Sequence, residues 1–206
     1  MCGIVGYVGP QKAVPILIKG LKRLEYRGYD SAGIACLTES SLMVAKSAGK
    51  INKLEELIAE NNIKSTHGIA HTRWATHGEP TQLNAHPHTD EAEEIALVHN
   101  GIIENYRTLR EFLEQKGYNI KTETDTEMLV HLIRFNDRGC LTEAVRNALS
   151  QVDVTYGIAV VSSLHPGVMV AARMGSPLVV GLGDKENFVA SDVSAMLEHT
   201  NKVVYL

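Results

Sequence analysis

A cysteine stands at position 2, between the initiator methionine and Gly3. Because a small second residue permits removal of the initiator methionine, we expect Cys2 to become the mature N-terminus. Its own α-amine, with a reference pKa of about 7.7–8.0, then accepts the thiol proton directly or through a water. Gly3 leaves room for an incoming carbonyl group, and the apolar run at residues 4–8 predicts a strand that holds the thiol. The alternative is that Cys2 is a small apolar residue at the start of a buried strand.

A polar segment at residues 71–80 follows the apolar residues 68–70, and its turn-forming end predicts a loop after a strand. Arg73 in this segment suits bidentate binding of a small carboxylate, because hydroxyl and imidazole donors flank it. Trp74, the only tryptophan of the sequence, can cover a bound ligand and exclude water. The alternative, which the sequence favours equally, is a surface arginine beside a partly buried tryptophan in a structural loop.

Asn100 and Gly101 interrupt an apolar run that extends from residue 95 to residue 103. The Asn100 side-chain amide and the Gly101 backbone N–H can donate hydrogen bonds to a developing oxyanion. Loss of one such donor typically costs ~10²–10³ in rate. The alternative is an Asn-Gly turn between two strands, and the sequence alone favours that interpretation.

Asp125 lies in the acidic and hydroxyl-rich segment 123–127, immediately before an apolar helical pattern. This position predicts that Asp125 or Thr124 caps the N-terminus of the helix. A second hypothesis pairs the Asp125 carboxylate with the ammonium group of an amino acid whose carboxylate meets Arg73. Opposite charges at the two ends of the site would then select a zwitterionic ligand.

The nine histidines raise the question of a metal site, in particular at His86 and His88 with His71, His77 and His99. Their spacing matches no tight metal-binding template, and histidines near strand ends are commonly satisfied by hydrogen bonds. We therefore expect no metal and no other cofactor. A metal-assisted amide hydrolase that uses these histidines is the competing enzymatic hypothesis.

The composition is that of a globular protein of 206 residues, with 44% hydrophobic and 21% charged residues. A formal net charge of -4 offers no attraction for a polyanion, which argues against nucleic acid as a partner. No apolar stretch approaches the ~20 residues that span a bilayer, and no signal-peptide pattern begins the chain. Three cysteines without CxxC spacing predict reduced thiols, with Cys36 and Cys140 assigned to packing. We expect a cytoplasmic protein without a membrane partner.

The predicted elements are not in regular βαβ alternation. Short β-branched runs predict strands over residues 4–8, 95–98, 158–161, 168–172 and 178–182. Helical periodicity predicts four helices, over residues 14–24, 54–58, 109–113 and 129–133, and a fifth helix is predicted after Thr142. The last three strands follow one another, and several strands are apolar at nearly every position, so both sheet faces must be covered. We predict an α+β fold, a four-layer α/β/β/α sandwich of two antiparallel sheets.

Six blocks of sequence carry these features, at residues 2–6 (CGIVG), 24–33 (LEYRGYDSAG), 71–80 (HTRWATHGEP), 84–88 (NAHPH), 99–101 (HNG) and 123–127 (ETDTE). Together they resemble the glutaminase domains of glutamine–fructose-6-phosphate aminotransferases. The first and fifth blocks resemble class II glutamine amidotransferases in general. The second and third, with residues 186–192 (ENFVASD), are similar to the hexosamine branch. The resemblance spans nearly the whole chain, which we interpret as one glutaminase domain over residues 1–206.

The resemblance implies an N-terminal-nucleophile hydrolase fold, which is compatible with the predicted layers. It implies that Cys2 is the nucleophile and its own amine the base, and that Asn100 and Gly101 form the oxyanion hole.

Five further residues are implied to bind glutamine. Arg73, Thr76 and His77 hold its carboxylate, Asp125 holds its ammonium group, and Trp74 belongs to the lid. The residues that receive supporting roles next to the site are Arg27, Gly28 and His86.

The implied reaction is thiol attack on the side-chain amide of L-glutamine, release of ammonia, and hydrolysis of the γ-glutamyl thioester to glutamate. In the family, the ammonia reaches a sugar-phosphate isomerase domain that aminates fructose 6-phosphate to glucosamine 6-phosphate. That C-terminal domain is missing here, so we interpret the chain as a fragment and expect a homo-oligomer only for the full-length enzyme. A non-enzymatic alternative is a domain that binds glutamine through Arg73 and Asp125 without turnover.

Overall fold

The computed structural model describes residues 2–39, 41–61, 63–74 and 79–206. The strands are β1 (Gly3–Val8), β2 (Ser31–Leu37), β3 (Leu42–Ala48), β4 (His67–Arg73), β5 (His88–Thr89), β6 (Ile95–Ile103), β7 (Val154–Ser162), β8 (Met169–Met174), β9 (Val179–Leu182), β10 (Asn187–Ala190) and β11 (Val203–Tyr205). The helices are α1 (Ala13–Leu24), α2 (Ile51–Asn61), α3 (Tyr106–Gln115), α4 (Thr126–Asn136) and α5 (Leu141–Leu149).

The strands form two antiparallel sheets that pack face to face. The larger sheet has the order β11-β9-β10-β1-β4-β2-β3, and the smaller sheet has the order β5-β6-β7-β8. Helices α1 and α2 cover the outer face of the larger sheet, and helices α3, α4 and α5 cover the outer face of the smaller one. A third apolar cluster lies between the sheets. The predicted four-layer sandwich is confirmed.

Strand β1 explains why some runs are apolar at every position. Ile4 contributes to the cluster between the sheets, whereas Val5 and Tyr7 contribute to the cluster under α1 and α2. Successive side chains of a strand point to opposite faces, so a strand in a middle layer needs apolar residues on both. Burial on both sides fixes β1, and thereby fixes the position of the residue that precedes it.

Most of the predicted elements are confirmed within a few residues, but the sequence did not predict β2, β3, β5 and β10. The small residues of β2, such as Gly33 and Ala35, gave a weak β-branched signal although the strand is buried throughout. The packing role predicted for Cys36 agrees with its burial in β2, whereas the same prediction is wrong for Cys140, which is exposed at the start of α5. None of the helices in the described ranges is long and apolar enough to cross a membrane.

Candidate active site

Cys2 lies at the junction of the two sheets. The Trp74 backbone N–H donates to Cys2 Sγ at 3.2 Å, and the thiol lies 3.6 Å from the Trp74 carbonyl oxygen. From the smaller sheet, Asn100 Nδ2 donates to the Cys2 carbonyl oxygen at 3.1 Å. Cys2 is only half-buried and lines a small pocket, so it is not a core-packing residue.

The surroundings of Cys2 keep its thiol protonated. Burial raises the pKa of the Cys2 thiol, and the acidic Asp30 adds to this. The hydrogen bond from Trp74 and the positive charge of Arg73 act in the opposite direction but do not outweigh burial. A protonated thiol is a poor nucleophile, so a nucleophilic role for Cys2 would require a base. The α-amine of Cys2, once Met1 is removed, is in the same residue as the thiol.

Nine of the described residues line the pocket around the thiol, and six of them are residues to which the resemblance assigns a role. The lining residues are Cys2, Arg73, Trp74, His86, His99, Gly101, Thr124, Asp125 and Thr126. Asn100 joins them through its hydrogen bond to Cys2. Thr76 and His77 lie outside the described residues. The other three lining residues belong to blocks that resemble the family, but the resemblance gave them no role: His99 was considered only as a metal ligand, Thr124 only as a helix cap, and Thr126 not at all.

Arg73 is the last residue of β4 and not part of a loop. Its Cα pairs with that of Ser31 in β2, and its side chain is buried. The polar residues of this segment predicted a loop, and the prediction was wrong for Arg73 because hydrogen-bond partners let polar side chains lie in a buried strand. Thr72 Oγ1 donates to the Gly28 carbonyl oxygen, and Arg73 Nη1 donates to the Glu79 carbonyl oxygen at 3.2 Å.

The Arg73 guanidinium keeps its positive charge despite burial. Burial lowers the pKa of Arg73, and the negative charges of Asp30, Asp125 and Glu123 oppose this change. Arginine is effectively always protonated in proteins. A buried positive charge that faces the pocket is suited to bind a carboxylate.

The turn at Arg27 and Gly28 packs against the end of β4. A Cβ atom on Gly28 would lie 2.7 Å from the Arg73 carbonyl carbon and 2.9 Å from the Trp74 nitrogen, so only glycine fits. Arg27 is buried, and its Nη1 lies 3.2 Å from Asp192 Oδ2. The structure therefore places Gly28 directly behind the backbone that contacts the Cys2 thiol, with Arg27 adjacent to it in the chain.

Two other glycines allow close packing around the site. A Cβ atom on Gly3 would lie 2.8 Å from Leu24 Cβ and 2.8 Å from Thr72 Cγ2, so Gly3 is needed for packing. That Gly3 also leaves room for an incoming carbonyl group stays a prediction. Gly101 has φ of +148°, which side chains rarely adopt, and a Cβ there would collide with the Thr155 carbonyl oxygen.

Strand β6 continues through Asn100 and Gly101 without a turn. Asn100 pairs with Gly157 and Gly101 with Tyr156 in β7, and the strand ends only at Ile103. The Asn-Gly turn that the sequence favoured is therefore wrong. Gly101 has a positive φ, yet Asn100 and Gly101 both keep their pairing partners in β7.

A neutral histidine orients the Asn100 amide. His71 Nε2 lies 3.0 Å from Asn100 Oδ1, and burial lowers the pKa of His71 to about 3. At neutral pH the Nε2–H form of His71 donates to Oδ1, so the Asn100 NH₂ group must face Cys2. One of its two hydrogens bonds the Cys2 carbonyl oxygen, which leaves the other for a ligand.

Asp125 binds a backbone N–H instead of capping α4. Its Oδ2 accepts from the Ile103 N–H at 2.7 Å, and its side chain makes no cap hydrogen bond to the helix. Thr124, the other predicted cap, has its Oγ1 at 3.0 Å from His88 Nε2. Asp125 therefore occupies the predicted N-cap position of α4 without a side-chain cap hydrogen bond, and the prediction is wrong for Thr124. Asp125 is buried in the same pocket as Arg73, an arrangement that can bind the two ends of a zwitterion.

The buried histidines His71, His86, His88 and His99 lie in and next to the pocket, and His86 and His99 line it. The ring centroids of His71 and His86 are 4.3 Å apart, and those of His86 and His88 are 4.7 Å apart. Thr126 Oγ1 lies 3.1 Å from His86 Nε2 and 3.0 Å from His99 Nδ1. Burial lowers the pKa of each of these four imidazoles. Within the described ranges no three His, Cys, Asp or Glu side chains are arranged to hold a metal ion.

The buried imidazoles predict a loss of stability in mild acid. In the unfolded chain a histidine titrates near pH 6.5, whereas in the fold the pKa of His71 is about 3. The unfolded state therefore binds more protons below about pH 6.5, and the stabilisation that is complete above that pH falls as the pH decreases. Each such histidine contributes up to about 1.4 kcal/mol per pH unit. Urea denaturation at pH 7.5, 6.5 and 5.5 measures this decrease.

Carboxylates act in a different pH window. Burial would raise the pKa of Glu127, but hydrogen bonds from His131 and from the Lys121 and Thr122 backbones lower it to about 2. The contribution of Glu127 to stability is lost only as the pH falls below about 4.5.

The variant His88→Gln tests the histidine prediction. It should reduce the slope of the free energy of unfolding against pH between pH 7.5 and 5.5, and an equal slope in both proteins would contradict the prediction.

Comparison with known proteins agrees with this geometry. The model of the glutamine amidotransferase domain family matches residues 58–205. The chain is similar over its whole length to glutamine–fructose-6-phosphate aminotransferases (isomerizing) from Bacteroides thetaiotaomicron, at 56% identity, and Clostridium perfringens, at 52%. It spans 34% of the length of each of these relatives. Among solved structures, the glutamine phosphoribosylpyrophosphate amidotransferase of B. subtilis superposes with a TM-score of 0.84 at 29% identity, covering all of this chain and 44% of that one.

The four-layer fold, with a cysteine directly before its first strand, is that of the N-terminal-nucleophile hydrolases, as the resemblance implied. Within that class, the chain belongs to the glutamine amidotransferase family.

Proposed function

We propose that this chain hydrolyses the side-chain amide of L-glutamine to glutamate and ammonia. The observation that carries the proposal is one pocket that joins the Cys2 thiol to a buried cation, Arg73, and a buried anion, Asp125. A thiol between groups of opposite charge suits an amino acid whose side chain ends in a reactive carbonyl. The family and the names of the relatives support the same reaction.

In the proposed mechanism the Cys2 amine accepts the thiol proton, and the sulfur attacks the amide carbon of glutamine. Asn100 Nδ2 and the Gly101 N–H stabilise the negative charge that develops on the amide oxygen. The tetrahedral intermediate collapses as the ammonium group of Cys2 protonates the departing nitrogen, which leaves as ammonia and leaves a γ-glutamyl thioester. A water molecule then attacks the thioester, so glutamate is released and the thiol regains its proton.

Further residues have proposed roles at the substrate. Thr76 and His77 help Arg73 to hold the glutamine carboxylate, and Trp74 covers the ligand. Arg27, Gly28 and His86 support the site. The contacts of Gly28 with the Arg73 and Trp74 backbone, and of His86 with Thr126, are consistent with these supporting roles.

We further propose that residues 1–206 are one glutaminase domain of a longer synthase. In that enzyme the ammonia reaches a C-terminal sugar-phosphate isomerase domain and aminates fructose 6-phosphate to glucosamine 6-phosphate, and the full-length protein forms a homo-oligomer. The proposal rests on the names of the relatives and on the one-third of their length that this chain covers. A cytoplasmic location also stays a proposal, with which the three free cysteines are compatible.

The test is a stoichiometric assay of the purified chain with L-glutamine. We expect glutamate and ammonia in equal amounts, no reaction with D-glutamine, and the same rate after treatment with a metal chelator. Binding of L-glutamine without glutamate release would support the sensing alternative and overturn the proposal. Loss of activity with chelator, and its return with zinc, would instead favour the metal-assisted hydrolase.

A further inference from the structure

Asn84 bridges two segments that each lead to one charged group of the pocket. Its side chain is 2% exposed, and its Nδ2 donates to the Glu79 carbonyl oxygen at 3.1 Å and to Glu123 Oε2 at 2.9 Å. Its Oδ1 accepts from the Glu123 backbone N–H at 3.1 Å. Both ends of one buried amide are therefore used to join residue 79 to residue 123. We call Asn84, Glu79 and Glu123 the Asn84 bridge.

On one side the Asn84 bridge reaches Arg73. The Glu79 carbonyl oxygen that accepts from Asn84 also accepts from Arg73 Nη1, at 3.2 Å. The Glu79 backbone N–H donates in turn to Glu123 Oε2 at 3.2 Å. The bridge therefore helps to set the direction of the guanidinium.

On the other side the Asn84 bridge reaches Asp125. Glu123 precedes Asp125 by two residues, and the Asp125 carboxylate is held by the Ile103 N–H at 2.7 Å. Arg73 ends β4 of the larger sheet, whereas Asp125 comes just before α4, which covers the smaller sheet. The two charged groups thus belong to different layers, and the bridge is a polar link between Arg73 and the segment that leads into Asp125.

We propose that Asn84 is a positioning residue that sets the distance between the groups that bind the α-carboxylate and the α-ammonium of the substrate. The inference rests on the proposed function, and it concerns how the site selects an L-α-amino acid. A zwitterion has a fixed separation of charges, so its binding requires that Arg73 and Asp125 be held at a matching separation. A buried amide with three hydrogen bonds holds such a separation, because each lost bond leaves an unsatisfied buried group.

The variant Asn84→Asp tests this with little change in size. An aspartate at position 84 has no N–H donor, and it places a second carboxylate beside Glu123 Oε2. We expect KM for L-glutamine to rise at least tenfold with kcat within about threefold of wild type. The double variant Asn84→Asp/Glu123→Gln restores one donor between the two side chains and removes the repulsion, so KM should return at least partly. Asn147→Asp, on the exposed face of α5, is the matched control.

Alkylation of Cys2 separates positioning of the substrate from a general disturbance of the site. Iodoacetamide lacks the two charged ends of an amino acid, so its rate of reaction with Cys2 should be unchanged in Asn84→Asp, measured with Cys140→Ser as the background. An amino-acid diazoketone of the length of glutamine should react at least tenfold more slowly at low concentration. Glu123 is exposed, so Glu123→Gln alone repeats the test with a smaller rise in KM if Asn84→Asp does not fold.

The outcomes separate the inference from the proposed function. Normal turnover in wild type with an unchanged KM in Asn84→Asp would overturn the inference alone. A lower kcat at unchanged KM, or equal slowing with both alkylating agents, would overturn it in favour of an effect on Cys2. Absence of glutamine turnover in the wild-type chain would overturn the proposed function instead.

Discussion

Replacement of Cys2 by alanine is expected to reduce glutamate release by on the order of 10⁴-fold or more, since no other group can form the thioester. The fold should be unaffected, because Cys2 lies outside the apolar clusters and is only half-buried. Release of ammonia from L-glutamine measures the effect. Intact mass after exposure to an amino-acid diazoketone should show one adduct in wild type and none in Cys2→Ala.

The other two cysteines provide controls for this experiment. Burial raises the pKa of Cys36 to about 12, so this thiol should not react, and Cys140→Ser should leave activity unchanged. A form that retains Met1 should also be inactive, because the amine of Cys2 is then part of a peptide bond. Full activity in Cys2→Ala or in the Met1 form would refute the proposed nucleophile and its base.

Asn100→Ala is expected to lower kcat by about 10²–10³-fold, with little change in KM, because the lost N–H acts on the oxyanion. Asn100→Asp should be at least as severe, since it places a negative charge where negative charge develops. Steady-state kinetics with L-glutamine measures both parameters. Circular dichroism checks that the overall secondary structure is unchanged.

Asn147→Ala on the exposed face of α5 serves as the control for an asparagine lost elsewhere. A rise in KM without a fall in kcat would assign Asn100 to ground-state binding and would exclude it from the oxyanion hole. A second check is His71→Leu, which removes the donor that orients the amide and should reproduce part of the loss in kcat.

The layers of the fold were predictable because a strand that is buried on both faces is apolar at nearly every position of the sequence. Residues 4–8 are apolar at nearly every position, and α1 carries buried residues at Leu17, Leu21 and Leu24 along one face. Strand β2 was not predicted because its glycine and alanine residues pack closely but have low β-propensity. Local composition is therefore enough to predict the architecture in those elements where large apolar side chains fill the layers.

The site was less predictable because its polar residues depend on partners that are distant in sequence. Arg73 was assigned to a loop, yet its strand tolerates polar side chains since Gly28 and Glu79 supply acceptors. Asp125 resembles a helix cap until the Ile103 N–H is seen to bind its carboxylate. The blocks that resemble the family brought these residues together, but they did not indicate that Asn84 links them.

The proposed nucleophile and the proposed oxyanion donor belong to different sheets: Cys2 precedes β1 of the larger one, and Asn100 lies in β6 of the smaller one. Neither sheet by itself therefore contains both groups of the proposed active site. A protein engineer who wished to transplant this chemistry would have to reproduce the spacing of two stacked sheets, and a chimaera that exchanged only one of them would be expected to fold without turning over substrate.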